Sequence, residues 1–225
     1  MKAGAILLCG GKGGRLGAAA DKPLVPLAGR PLFVWSLETL ECVAAIEGVV
    51  VVGPVRRLEE ALATSGYAPS RVVAWAEGGR ERQESVARGL AALPERFDLV
   101  AVHDCARALV DPRLVGRVIA DACEHGAAIA AVPLDDSLKR VALGAIEASV
   151  PRAGLWRAQT PQAFRRDWLE AAHAASRGGA TDDAALVEAQ GRRVWISEGD
   201  PLNFKITTAR DLRLAEAWMA SATEH

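Results

Sequence analysis

Basic charge is scarce where a nucleic-acid or membrane-surface protein would concentrate it. The 225-residue chain sets 27 Lys/Arg against 28 Asp/Glu, a formal net charge of −1, with the basic residues spread along its length. That leaves no electrostatic footprint for nucleic acid or anionic lipid, so any phosphate handling must be local. Cysteine is also sparse. Cys9, Cys42, Cys105 and Cys123 stand far apart without a CxxC pair, and the four histidines are equally dispersed. This argues against zinc and a disulfide framework and for a reducing cytoplasm. Long apolar runs are missing too. Ala5–Leu8 is too short for a signal-peptide core, and glycines, Lys12 and Arg15 follow at once. Nothing later approaches the ~20 apolar residues of a membrane span. Lysine is rare even among the basic residues: only Lys2, Lys12, Lys22, Lys139 and Lys205 among 27. A lysine kept in an arginine-rich chain is a candidate for a compact point charge.

What is present is enough apolar material for one well-packed domain spanning 1–225, at 50% hydrophobic and 24% charged residues. Strand-like runs at Gly4–Leu8, Val49–Val52, Arg71–Trp75, Leu99–Val102, Ala127–Val132 and Arg193–Ile196 alternate with helical patterns. The helical patterns lie near Leu32–Cys42, Leu58–Thr64, Glu81–Leu93, Pro112–Glu124, Asp167–Ser176, Asp182–Ala189 and Ala209–Met219. Such alternation predicts an α/β fold, a mostly parallel sheet with helices on both faces. Ligands of these sheets sit outside the carboxyl ends of the strands. Residues 137–150 break the rhythm: they show no helical face, and Leu143-Gly144-Ala145 fits a turn between two extended arms. A projecting β-hairpin is expected there, with a plain surface loop as the alternative. A hairpin that cannot bury itself calls for a partner, most economically a second copy of the chain.

The first strand runs into Cys9-Gly10-Gly11-Lys12-Gly13-Gly14-Arg15-Leu16-Gly17, followed by Asp21-Lys22-Pro23-Leu24. The glycines let backbone N–H groups approach phosphate oxygens. The dinucleotide spacing GxGxxG fails because Leu16 stands where its last glycine belongs, and no GK[ST] ending marks a P-loop. Arg15 and Lys22 remain within reach of a triphosphate over the loop. On the glycines alone, a solvated basic turn fits equally well. The pattern GGxGxRLG followed by KPL, however, resembles the signature loop of nucleotidyltransferases.

Gly78-Gly79-Arg80-Glu81-Arg82-Gln83-Glu84-Ser85-Val86 is a glycine turn opening a helix, whose amides and Ser85 suit the edge of a pyrimidine base. By itself it also fits an ordinary charged helix start, where Glu81 and Glu84 would favour the dipole. Val102-His103-Asp104-Cys105-Ala106-Arg107 puts a carboxylate directly after an apolar strand, suited to Mg²⁺ held mainly by phosphates and water. A helix cap is the other reading, but Asp111 is better placed for that.

Taken with VPLDDSLKR from Val132, RAGLWRAQTPQAF from Arg152, TDDAALVE from Thr181 and NFKIT from Asn203, these blocks resemble the 2-C-methyl-D-erythritol 4-phosphate cytidylyltransferase family. They occur in family order over most of the chain. The resemblance implies a three-layer α/β/α, Rossmann-like nucleotidyltransferase fold with the 137–150 arm interlocked in a homodimer. It implies transfer of CMP from CTP to methylerythritol phosphate, releasing pyrophosphate, with Mg²⁺ or another divalent cation. By the same resemblance Arg15 and Lys22 stabilise the attacked α-phosphate, while Gly10, Gly11, Gly79, Arg80 and Ser85 receive CTP. Asp104 meets metal and substrate. Arg152 and Lys205 hold the acceptor phosphate, with Arg107, Ser137 and Thr160 lining that site. Three departures stand out: Lys22 is followed by Pro-Leu-Val rather than Gln-Tyr-Leu, Ser137 replaces a usual threonine, and Cys9 and Gly10 sit where alanine is commoner. The alternatives are another acceptor (ribitol phosphate, a sugar phosphate, molybdopterin) or a non-catalytic nucleotide sensor. No Ser-His-Asp or Cys-His set is present, and none is needed where the acceptor phosphate brings its own nucleophile.

Overall fold

Side chains alternate across β1 (Ala3–Leu8), so Ala3, Ala5 and Leu7 pack into one core while Ile6 and Leu8 pack into another. A strand buried on both faces must sit mid-sheet between two helical layers. The computed structural model describes residues 2–11, 21–176 and 178–223 and builds on that strand.

In chain order β1 is followed by β2 (Pro26–Leu27), β3 (Arg30–Pro31), α1 (Leu32–Cys42), β4 (Ile46–Gly53), α2 (Val55–Ala63) and β5 (Val72–Glu77). Next come α3 (Arg82–Ala92), β6 (Leu99–Asp104), α4 (Pro112–His125), β7 (Ala127–Pro133), β8 (Leu138–Ala142) and β9 (Ala145–Val150). The chain continues through β10 (Trp156–Arg165), α5 (Arg166–Ala175), α6 (Asp183–Ala189), β11 (Trp195–Glu198) and α7 (Ala209–Thr223). The main sheet has seven strands in the order β11-β7-β10-β6-β1-β4-β5, all parallel except β10. Helices α1, α2 and α4 cover one face and α3, α5 and α6 the other, giving the expected three layers. Close packing on the second face needs a glycine in α3. A Cβ on Gly89 would lie 2.6 Å from Ile6 Cγ2.

The strand β10 corrects the sequence reading, which placed no strand between 150 and 193. Its centre carries Gln159, Thr160, Pro161 and Gln162 instead of an apolar run, yet the three polar residues are buried. Burial is tolerated because their polar groups are partnered. Gln159 Nε2 donates to Asp200 O at 2.8 Å, Asn203 Nδ2 to Thr160 O at 2.9 Å, and Gln162 Nε2 to Asp182 Oδ2 at 2.8 Å. The register of β10 on β7 shifts between Ala158 and Gln162. Helix α2 begins three residues earlier than its apolar pattern indicated, and β11 lies two residues later, in register with Ala128–Ala131.

The hairpin β8–β9 is present and turns through Leu143 (φ 49°) and Gly144 (φ 82°). Two left-handed residues are what a tight two-residue hairpin requires. Leu143, Val141 and Ile146 stand exposed on it. A third small core joins α7 to β2 and α1 through Leu27, Leu32, Ile206 and Ala215. It fixes the segment carrying Lys205 against the end of the sheet.

Candidate active site

The strands β1 and β6 are neighbours in register, Leu8 opposite Asp104, so the loops leaving their carboxyl ends emerge side by side. Between them opens a cavity of about 240 Å³. Gly10, Gly11 and Lys22 line it from the glycine loop, and Gly79, Arg80, Glu81, Arg82 and Ser85 from the turn before α3. Asp104, Cys105 and Ala106 line it from the end of β6, and Lys205 from the segment before α7. Lys22 opens a 3₁₀ turn (Lys22–Leu24), and its backbone N–H donates to Gly11 O at 3.2 Å, tying the turn to the loop.

Asp104 is the electrostatic centre. Its Oδ2 accepts from Lys205 Nζ at 2.6 Å, and its Oδ1 lies 3.5 Å from Arg82 Nε. Burial alone would raise its pKa, but Lys205 and Arg82 outweigh burial and hold the carboxyl at about 2. Its backbone N–H donates to Thr160 Oγ1 at 3.0 Å. The same hydroxyl lies 3.1 Å from Nδ1 of His103, which burial pushes down to about 4, so that ring is neutral at pH 7. Thr160 thus fixes the Asp104 backbone from beneath and does not line the cavity.

The turn before α3 is closed by its own side chains. Gly79 N–H donates to Ser85 Oγ at 2.9 Å and Arg80 N–H to Glu84 Oε2 at 2.8 Å. These two amides are therefore taken. The turn offers a ligand its shape and the Ser85 hydroxyl, which in turn donates to Glu81 O at 3.2 Å. Gly79 is required by close approach: an added Cβ would fall 2.3 Å from Glu84 Cβ.

The candidate residues divide into three groups. Gly10, Gly11, Lys22, Gly79, Arg80, Ser85, Asp104 and Lys205 share the cavity. Arg107 and Thr160 buttress it, the Arg107 guanidinium donating to Asn203 O at 2.6 Å and to Ala158 O at 3.4 Å. Ser137 and Arg152 do not line it; both are exposed at the two ends of the hairpin. Arg15 lies outside the described residues. Sequence reasoning assigned no role to Arg82 or Asp183, although Arg82 Nη1 donates to Asp183 Oδ2 at 2.7 Å. A signal was available: of two consecutive aspartates at the start of α6, only one can cap it.

Comparison with known proteins bears on this arrangement. The family model for 2-C-methyl-D-erythritol 4-phosphate cytidylyltransferase matches residues 4–221. The chain belongs to that family. Among curated members, the cytidylyltransferase of Prochlorococcus marinus is 41% identical over 222 residues, covering 96% of this chain and 97% of its own. That of Geobacillus thermodenitrificans is 42% identical over 221 residues, covering 96% of each. Among solved structures, the family enzyme from Thermus thermophilus aligns with a TM-score of 0.79 at 35% identity, covering 98% of this chain and 100% of that one. The synthase from Anaerococcus prevotii gives a TM-score of 0.83 at 25% identity, covering 97% of this chain and 96% of its own. The fold is thus shared with these structures along nearly the whole chain.

Proposed function

We propose that the cavity binds CTP and that the chain transfers its CMP unit to 2-C-methyl-D-erythritol 4-phosphate. An oxygen of the acceptor phosphate attacks the α-phosphorus of CTP, a new P–O bond forms, and the bond to the bridging oxygen breaks to release pyrophosphate. Bringing two polyanions together is the difficulty, and alignment plus positive charge is the remedy. Lys22 and Arg15 stabilise charge on the α-phosphate. The turn Gly79–Ser85 receives the base; with its proton given to Glu81 O, the Ser85 hydroxyl keeps acceptor capacity suited to the amino group of cytosine. Gly10 and Gly11 let the chain approach the triphosphate. The observation that carries the reading is the convergence of Lys22, Asp104 and Lys205 on one cavity.

Asp104, ionised and flanked by cations, is the proposed metal contact. Among the described residues no three His, Cys, Asp or Glu side chains gather to hold a metal unaided. One hard carboxylate is the donor set expected for Mg²⁺ ligated mainly by substrate phosphates and water. Such an ion, when bound, supplies positive charge to the triphosphate.

Lys205 holds the acceptor phosphate, supported by Arg107 and Thr160. Arg152 and Ser137 complete that site from the arm of a second copy in a homodimer. The apolar residues exposed on and beside the arm, Val141, Leu143, Ile146, Leu155 and Trp156, support this, since a bare two-stranded hairpin is barely stable alone. Among the described residues no helix is long and apolar enough to cross a membrane. The four free cysteines suit a reducing cytoplasm, where we place the protein.

The test is pyrophosphate release with CTP, methylerythritol phosphate and Mg²⁺, run beside ribitol phosphate, sugar phosphates and GTP. Turnover with CTP and methylerythritol phosphate is expected. Preference for another acceptor would redirect the assignment within nucleotidyl transfer, and CTP binding without pyrophosphate release from any acceptor would leave a nucleotide sensor.

A further inference from the structure

Asp183 is fully buried, more so than Asp104 or Glu41. It opens α6 directly after Asp182, and Asp182 already caps that helix by accepting from Ala185 N–H at 3.0 Å. Capping therefore does not explain the second carboxylate. A carboxylate removed from water is costly unless a cation meets it. Arg82 does so, its Nη1 donating to Asp183 Oδ2 at 2.7 Å, while His173 Nε2 lies 2.9 Å from Oδ1.

Arg82 also lines the cavity, where its Nε stands 3.5 Å from Asp104 Oδ1. The two contacts are unequal. Arg82 is gripped from behind by Asp183 and only leans on Asp104, whose short contact, at 2.6 Å, is with Lys205. Asp183 itself does not line the cavity. The series Asp183, Arg82, Asp104, Lys205 thus runs from α6 through the start of α3 and the end of β6 to the segment before α7.

We propose that Asp183 is a positioning residue for the transfer reaction: by anchoring Arg82 it keeps the Asp104 carboxylate available to Lys205 and the substrates. This rests on the cavity being the CTP site. Without the anchor, a guanidinium so close to a carboxylate closes onto it in the favoured two-bond geometry. Arg82 then displaces Lys205 and occupies the carboxylate that the substrates need.

The test is kinetic and uses the full-length protein. Asp183→Asn keeps the shape of the side chain and removes its charge. It should lower kcat about 10–100-fold, the usual cost of losing a partner that orients a carboxylate. CTP binding measured calorimetrically without Mg²⁺ or acceptor should change little, while the melting temperature should drop, because Arg82 and His173 lose a buried partner. The decisive readout is rescue. Adding Arg82→Gln to Asp183→Asn removes the misdirected cation and should raise kcat above that of Asp183→Asn alone. A clasp that merely held α3 to α6 would give no rescue, and activity would fall in step with melting temperature. Should Asp183→Asn fail to fold, Asp183→Ser with and without Arg82→Gln carries the same comparison. Wild-type kcat in the single variant, or a double variant no faster than it, overturns the inference. A wild-type protein that releases no pyrophosphate from CTP would instead overturn the proposed function, and this inference with it.

Discussion

The cavity and the arm handle charge in opposite ways. In the cavity the acidic centre is already paired: Asp104 sits between Lys205 and Arg82, and Arg82 is anchored in turn by Asp183. At the arm, Arg152 and Ser137 flank a hairpin whose Val141, Leu143 and Ile146 face solvent. One region pairs its charges within a single chain, whereas the other leaves its polar groups and apolar side chains uncovered. Under the proposed function, the contrast makes nucleotide binding a property of the folded chain and acceptor binding a property of an assembly.

The largest effect should come from the cavity. Lys22→Ala removes a cation from the proposed α-phosphate contact and should slow kcat about 10²–10³-fold with little change in melting temperature. Steady-state kinetics with thermal unfolding checks this, and near-normal turnover would break the cavity's side of the comparison. Arg152→Ala should act more selectively. Losing one charge-assisted contact, worth about 1.5–3 kcal/mol, should raise the acceptor KM on the order of 10–100-fold and leave the CTP KM unchanged. Weakening that fell on CTP instead would erase the division between the regions.

The smallest effect concerns acid stability, to which the end of β6 beside the cavity contributes through His103 and Asp104. His103 has its pKa depressed by burial from 6.5 to about 4, so the unfolded chain binds its proton first as pH falls. Stability should therefore decline as pH drops through that interval. Asp104, lowered from 3.8 to about 2, adds a second loss as pH falls between those values. Melting temperatures measured across pH 7 to 4 should fall, and His103→Asn should flatten the decline. An unchanged slope would remove His103 from the explanation.

Much of this was legible in the sequence, for physical reasons. Val49–Val52 and Leu99–Val102 advertise buried parallel strands because both of their faces meet helices. The arm was legible as a stretch without helical periodicity around Leu143-Gly144. Strand β10 was not, because Gln159, Thr160 and Gln162 are buried through hydrogen bonds to Asp200, Asn203 and Asp182, partners that no local pattern announces. The glycine loop and Asp104 could be found from residue type and position. Arg152 was named by resemblance alone, and Lys205 stood out only as one of five lysines until the resemblance gave it a role. The Arg82–Asp183 pair spans 101 residues of sequence, so its meaning emerges only when folding brings the starts of α3 and α6 together.

An acceptor site shared between two copies of the chain is the central claim, and subunit mixing tests it directly. Arg152→Ala and Lys205→Ala are each expected to be nearly inactive at low acceptor concentration. Unfolded and refolded together in equal amounts, they form heterodimers in which one of the two sites receives both native side chains. About a quarter of wild-type activity should return. Mixed protein no more active than the two separate variants would place Arg152 and Lys205 in the same subunit's site, or apart altogether, and contradict the claim.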